Sequence, residues 1–156
     1  MLFFRILMSL SLFFLIGCED FPRDPEKTLE KVSGKTLKVG YAEDPPHVVS
    51  GASGASGPQA ALVEKFAEKL GSTVKWVKKS EQQLFEDLEQ RELHLVIGGF
   101  SKQTPWKDRV GISRPFKSSS GSEYVFAVTN GENGFLVKLE EFLHEEIDLP
   151  YEGLSP

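Results

Sequence analysis

Two spacings govern the apolar positions of this chain. Leu37, Val39 and Tyr41 recur at every second residue, the period of a strand with one face turned inward. Leu62, Val63, Phe66, Ala67 and Leu70 recur at three and four, which predicts a helix opened by Pro58 and stopped by Gly71. Thr73 to Val77 reads as a second strand. Leu84, Phe85 and Leu88 stripe a second helix, entered through Ser80-Glu81-Gln82-Gln83, where the serine and Gln83 fit a capping box. Leu93, Leu95, Val96 and Ile97 form a short apolar run suited to a buried strand. Tyr124 to Val128 reads as a further strand, and Phe135, Leu136, Leu139, Phe142 and Leu143 face one way on a final helix from about residue 133 to 145. The order strand, helix, strand, helix, strand predicts an α/β fold with a mostly parallel sheet flanked by helices. Ligands of such sheets sit beyond the carboxyl ends of the strands, here residues 41–47 and 98–109.

The remaining stretches set the boundaries. Ser50 to Gly57 repeats small residues, cannot fill a core and is expected to be a mobile loop. Residues 18–35 are charged, contain Pro22 and Pro25 and read as a flexible tether. The domain is expected over 36–146 and a poorly ordered tail over 147–156. Residues 1–17 carry one charge, Arg5, and an apolar run too short to span a bilayer, as in a signal peptide. That run ends Leu15-Ile16-Gly17-Cys18, similar to a bacterial lipoprotein signal whose cysteine is lipidated; the alternative is an ordinary secretory signal. Cys18 is the only cysteine, so a packed core rather than an intrachain disulfide must stabilise the domain. A formal net charge of −5 without a basic run argues against a nucleic-acid partner.

The chemistry gathers after the strand ends. Gly98-Gly99 lets the backbone turn where a side chain would obstruct a bound molecule. Ser101 and Thr104 offer hydroxyls to a carboxylate or cap their own loop. Trp106 offers a flat face for stacking or packs half-buried, and Arg109 offers a bidentate guanidinium or a salt bridge to a neighbouring acid. Glu43 and Asp44 suit an amine, or are solvated loop charges. His47, His94 and His144 lie far apart with no metal-like spacing, so neither a metal nor another cofactor is expected; His94, between apolar strand residues, reads as structural. No nucleophile motif or catalytic set is evident, and the chain is not expected to be an enzyme.

The succession Leu37–Tyr41, Pro45-Pro46, Gly57 to Gly71, the Leu93–Gly99 strand, Ser101, Thr104-Pro105, Val110 and Ser113 to Phe116 resembles family 3 of the extracellular solute-binding proteins. The resemblance implies a periplasmic-binding-protein type II fold, reduced here to a single lobe, because little chain lies between Phe116 and a segment like the family's last strand and helix. It implies a lipid-anchored envelope receptor, facing the periplasm or exterior, for a small polar ligand such as an amino acid or organic acid. Its expected partners are that ligand, the membrane through Cys18, and an ABC importer permease or a second copy of the chain. The ligand-binding set it suggests is Tyr41, Glu43, Gly99, Phe100, Ser101, Thr104, Trp106 and Arg109. The chain departs from the family pattern where Trp106 replaces the expected arginine, where Gln59 and Ala61 replace an acid, and where His47 takes an aromatic position. These departures keep open a second reading, a ligand-free interaction or sensory module.

Overall fold

The computed structural model describes residues 24–117 and 121–147; the expected signal peptide, Cys18 and residues 148–156 lie outside the described residues. The elements, in chain order, are α1 (Thr28–Val32), β1 (Thr36–Tyr41), β2 (Val49–Gly51), β3 (Gly54–Ser56), α2 (Pro58–Lys69), β4 (Thr73–Lys78), α3 (Glu81–Glu89), β5 (Leu95–Ile97), β6 (Gly111–Ile112), β7 (Phe116–Lys117), β8 (Glu123–Tyr124), β9 (Ala127–Val128) and α4 (Asn133–Ile147). Five strands form one sheet in the order β4-β1-β5-β9-β6. β4, β1 and β5 are parallel, and β9 runs antiparallel to both β5 and β6. This mostly parallel sheet flanked by helices is the α/β architecture expected from the sequence.

Alternation along β1 divides the core between the two faces of the sheet. Leu37, Val39 and Tyr41 join a cluster with Val63 and Phe66 of α2 and Leu139 and Phe142 of α4. Phe66 meets Phe135 at 5.8 Å and Phe142 at 5.3 Å between ring centroids, which fixes α4 across α2. Gly40 faces the other way, where a Cβ would stand 2.6 Å from Leu84 and Leu93. The second cluster therefore lies under α3, with Leu84, Phe85 and Leu88 against Val96, Phe100 and Val110. Ser80 caps α3 in the expected manner, its oxygen accepting from the Gln83 amide while Gln83 reaches back to the Ser80 amide.

Three expectations are corrected. The segment 50–57, expected to be a mobile loop, forms the β2–β3 hairpin, with Val49 paired to Ser56 and Gly51 to Gly54. Its small residues let the backbone lie on an indole: Gly54 has φ +132°, and a Cβ there would sit 2.3 Å from a Trp76 ring atom. The described part of the expected tether is folded. Val32 of α1 is fully buried, Gly34 donates to the Leu70 carbonyl, and the Glu26 and Thr28 amides donate to Glu132. The expected strand 124–128 is split, because its backbone changes partners: Tyr124 pairs with Phe116, the Val125 amide donates to the Phe100 carbonyl, and Ala127 pairs with Val96 and Ile112.

α4 continues to Ile147, beyond the expected end. Lys65 and Lys69 on α2 pair with Glu146 and Glu145, offsetting the unfavourable placement of acids at a helix C-terminus. His94 is structural: its Nδ1 accepts from the Lys38 amide at 3.0 Å, and burial, then Lys38 and Lys31, hold its pKa below the usual histidine value.

Candidate functional site

Chain direction creates a switch point between β1 and β5. The crossover from β1 to β4 passes through α2 on one face, and that from β4 to β5 passes through α3 on the other. The two loops leaving β1 and β5 therefore start from adjacent strands on either side of the switch point, the usual ligand position in an open α/β sheet. The Ala42 amide donates to the Ile97 carbonyl at 3.1 Å, so the strands stay paired to their carboxyl ends.

Beyond that point the β1 loop turns sharply. Asp44 and Val48 form a bridge, with the Asp44 amide donating to the Val48 carbonyl at 2.8 Å and the Val48 amide returning a bond at 3.0 Å. This turn, which contains a cis Pro45-Pro46 peptide, brings the Asp44 carboxylate against Gly99. A Cβ on Gly99 would lie 2.8 Å from Asp44 Cγ, and one on Gly98 would lie 2.9 Å from the Phe100 ring. Gly99 thus makes room for a carboxylate, and Gly98 for the Phe100 ring. Asp44 Oδ2 is buried and has no hydrogen-bond partner among the described residues. A buried acceptor in that condition is costly, and a donor supplied from outside would relieve the cost.

The loop after β5 adds hydroxyls. Ser101 Oγ accepts from the Gln103 amide at 3.3 Å and Thr104 Oγ1 from the Trp106 amide at 3.5 Å, so both residues shape their loop. Each O–H retains its capacity to donate.

The other sequence candidates divide between two neighbouring groups. Tyr41 is buried against Trp76, edge to face at 5.9 Å, with its hydroxyl 3.4 Å from Ser50 Oγ. Glu43 is exposed, accepts from the Ser50 amide at 3.1 Å and pairs with Lys78 at 3.0 Å. Its pKa is lowered by the bonds from Ser50 and then Lys78. Tyr41 and Glu43 therefore anchor the β2–β3 hairpin. On the α3 side, Phe100 packs edge to face on Phe85 at 5.0 Å, and Trp106 stacks parallel on the same ring at 5.0 Å. The Trp106 indole donates to Glu81 at 3.1 Å, while Arg109 pairs with Glu89 and lies 5.0 Å from the Trp106 ring centroid. Phe100, Trp106 and Arg109 thus fasten the 98–110 loop to α3. Of the sequence-derived set, Gly99, Ser101 and Thr104 line the way out of β5, and Asp44 joins them in place of its neighbour Glu43. The sequence offers two adjacent acids without saying which one turns inward, because a turn closed through backbone bonds decides it.

Comparison with known proteins agrees with this architecture. The model of the bacterial extracellular solute-binding proteins, family 3, matches residues 37–148. No curated protein sequence matches the chain. Among solved structures, the arginine-bound form of domain 1 from TmArgBP superposes with a TM-score of 0.63 at 25% identity, covering 70% of this chain and 92% of that one. The truncated arginine-bound ArgBP from T. maritima gives a TM-score of 0.64 at 14% identity, covering 77% and 99%. An ancestral arginine-binding protein bound to arginine gives 0.61 at 16% identity, covering 70% and 91%. The lobe-like sheet, the switch point between β1 and β5 and a family match over most of the chain lead to one assignment: this chain belongs to the bacterial extracellular solute-binding proteins, family 3.

Proposed function

We propose that this chain is a lipid-anchored envelope protein that binds a small polar ligand bearing a cationic group, as the receptor component of an ABC importer. One observation carries the binding reading. A buried, unpartnered carboxylate oxygen, Asp44 Oδ2, sits against Gly99 at the switch point, where a ligand's ammonium or guanidinium would complete it. A charge-assisted hydrogen bond there contributes about 1.5–3 kcal/mol. Ser101 and Thr104 would donate to the ligand's oxygen atoms. The likeness to domain 1 of TmArgBP, described in an arginine-bound form, supports a single lobe as a binding unit and a basic amino acid as its ligand.

A two-lobed receptor buries most of its ligand by closing both walls, and one wall gives an open shelf with weaker binding. A second copy or the permease would supply the opposite wall. The anchor is Cys18, placing the domain outside the cytoplasmic membrane. Calorimetric titration of the chain with arginine, lysine, glutamine and small organic acids tests the proposal. Binding of the basic amino acids, lost in Asp44→Asn, is the expected result.

One observation favours the second reading, a ligand-free interaction module. Arg109, the guanidinium suited to a ligand carboxylate, is already paired with Glu89. Silence toward every ligand in the same titration, with specific partner capture from envelope extracts by the wild-type chain, would establish that reading instead.

A further inference from the structure

A cavity of about 310 Å³ lies where the start of α2 meets the β7–β8 pair and the end of α4. None of Asp44, Gly98, Gly99, Ser101 and Thr104 lines it. Leu62, Phe116, Tyr124 and Ile147 form apolar walls, and His47 stands beside Tyr124 with ring centroids 4.9 Å apart. Beside His47, Lys65 and Lys117, the lining includes Gln59, which is 2% exposed, and neither its Nε2 nor its Oε1 has a hydrogen-bond partner among the described residues. Gln59 is held in place: its own amide donates to the His47 carbonyl at 3.1 Å. Gly57 lets that carbonyl approach, since at φ +101° it lacks the Cβ that would stand 2.7 Å from the His47 oxygen.

We propose that this cavity is a second small-molecule site, for an uncharged compound carrying a primary or cyclic amide on an apolar body. The argument is one of complementarity. Gln59 presents an acceptor and a donor side by side, both buried and both unmet, and such groups are ordinarily satisfied. An amide pairs with both at once, its carbonyl accepting from Nε2 and its N–H donating to Oε1. A carboxylate accepts from Nε2 but sets a negative charge against Oε1, and a ketone meets only one of the two. The volume, at the lower end of the range of about 300–1,000 Å³ for ligand pockets, suits a single-ring compound. The lysines do not change the choice of class. Lys65 is paired with Glu146, and Lys117 is exposed, where its charge is solvated.

The test is calorimetric titration of the full chain with benzamide, benzoate and acetophenone, three ligands of one size that differ only in the polar group. Benzamide is expected to bind about tenfold more tightly than either of the others, the difference made by one additional hydrogen bond. Gln59→Met removes the amide and keeps the volume. It is expected to abolish the preference for benzamide while leaving the melting temperature unchanged or higher, since an unpaired buried amide has gone. Asp44→Asn is expected to leave benzamide binding intact, so failure at this site is distinguishable from failure at the switch point. Equal affinities for the three ligands, no binding of any, or a benzamide preference that survives Gln59→Met would overturn the proposal; the absence of all binding would assign the Gln59 amide to ordered water.

Discussion

The Asp44 carboxylate occupies the space that a side chain on Gly99 would need, with Asp44 Cγ 2.8 Å from the position of a Gly99 Cβ. An acid and a glycine from separate loops thereby define one site. Gly99→Ala is expected to push the carboxylate aside, weakening ligand binding tenfold or more. The stability cost is about 1–2 kcal/mol, because a short side chain moves rather than a packed backbone. Parallel titration and thermal melts of the variant separate the two effects.

A pair of carboxyl groups, Asp24 and Glu132, joins the amino-terminal segment to the residue preceding α4. Asp24 accepts from the Leu29 amide at 2.8 Å and, when protonated, can donate to the Glu132 carboxylate; Glu132, 1% exposed, accepts from the Glu26 and Thr28 amides and from Arg91. Burial and then the bond to Glu132 push Asp24 up to about 6. Burial also pushes Glu132 up, but the bonds from Asp24, Thr28 and Glu26 outweigh it and hold it at about 2. Asp24 has a folded pKa above its ordinary 3.8, so its contribution is complete below that value and is lost as pH rises through about 6. Glu132 has a folded pKa below its ordinary 4.5, so its contribution is present above that value and is lost as pH falls through about 2. Stability is therefore expected to peak near about pH 4 and decline to about pH 6. Asp24→Asn, whose amide donates to Glu132 without titrating, is expected to remove the decline and raise the melting temperature at pH 7 by about 2–5 °C. Melts from pH 3 to 8 read both curves.

Arg109 and Trp106 are assigned to structure. Arg109→Ala removes an exposed pair with Glu89 and a contact with the indole, at a cost of about 0.5–1.5 kcal/mol. Ligand affinity is expected to stay within twofold of wild type. Trp106→Ala uncovers Phe85 and is expected to cost about 2–4 kcal/mol, read by denaturant titration. A large loss of affinity in Arg109→Ala would return the guanidinium to the binding site.

Cys18→Ser is expected to move the expressed chain from the membrane fraction to the soluble one, followed by fractionation and immunoblot. An unchanged membrane fraction would remove the lipid anchor from the proposal.

The sheet and its helices were legible because each rests on a local period. Leu37, Val39 and Tyr41 alternate, α2 repeats its apolar residues at three and four, and Ser80 and Gln83 spell out their cap. The hairpin at 49–56 was not legible, since what holds it is the indole of Trp76, some twenty residues away in the chain, rather than any apolar residue of its own. The short helix α1 was hidden for a related reason: it rests on Val32 and on the distant Glu132, with no stripe to announce it. At the site, residue types were legible and directions were not. Glu43 and Asp44 are adjacent acids, yet one faces Lys78 and the other Gly99. Arg109 looked available because Glu89, its partner, lies on a helix twenty residues earlier.

The central claim is that the unpartnered oxygen of Asp44 receives a cationic ligand at the switch point between β1 and β5. Calorimetric titration of wild type and Asp44→Asn with basic amino acids tests it most directly. The account predicts measurable binding to wild type and a loss of tenfold or more in the variant, with the thermal melt little changed. Equal binding by the two proteins, or none by wild type, would contradict it.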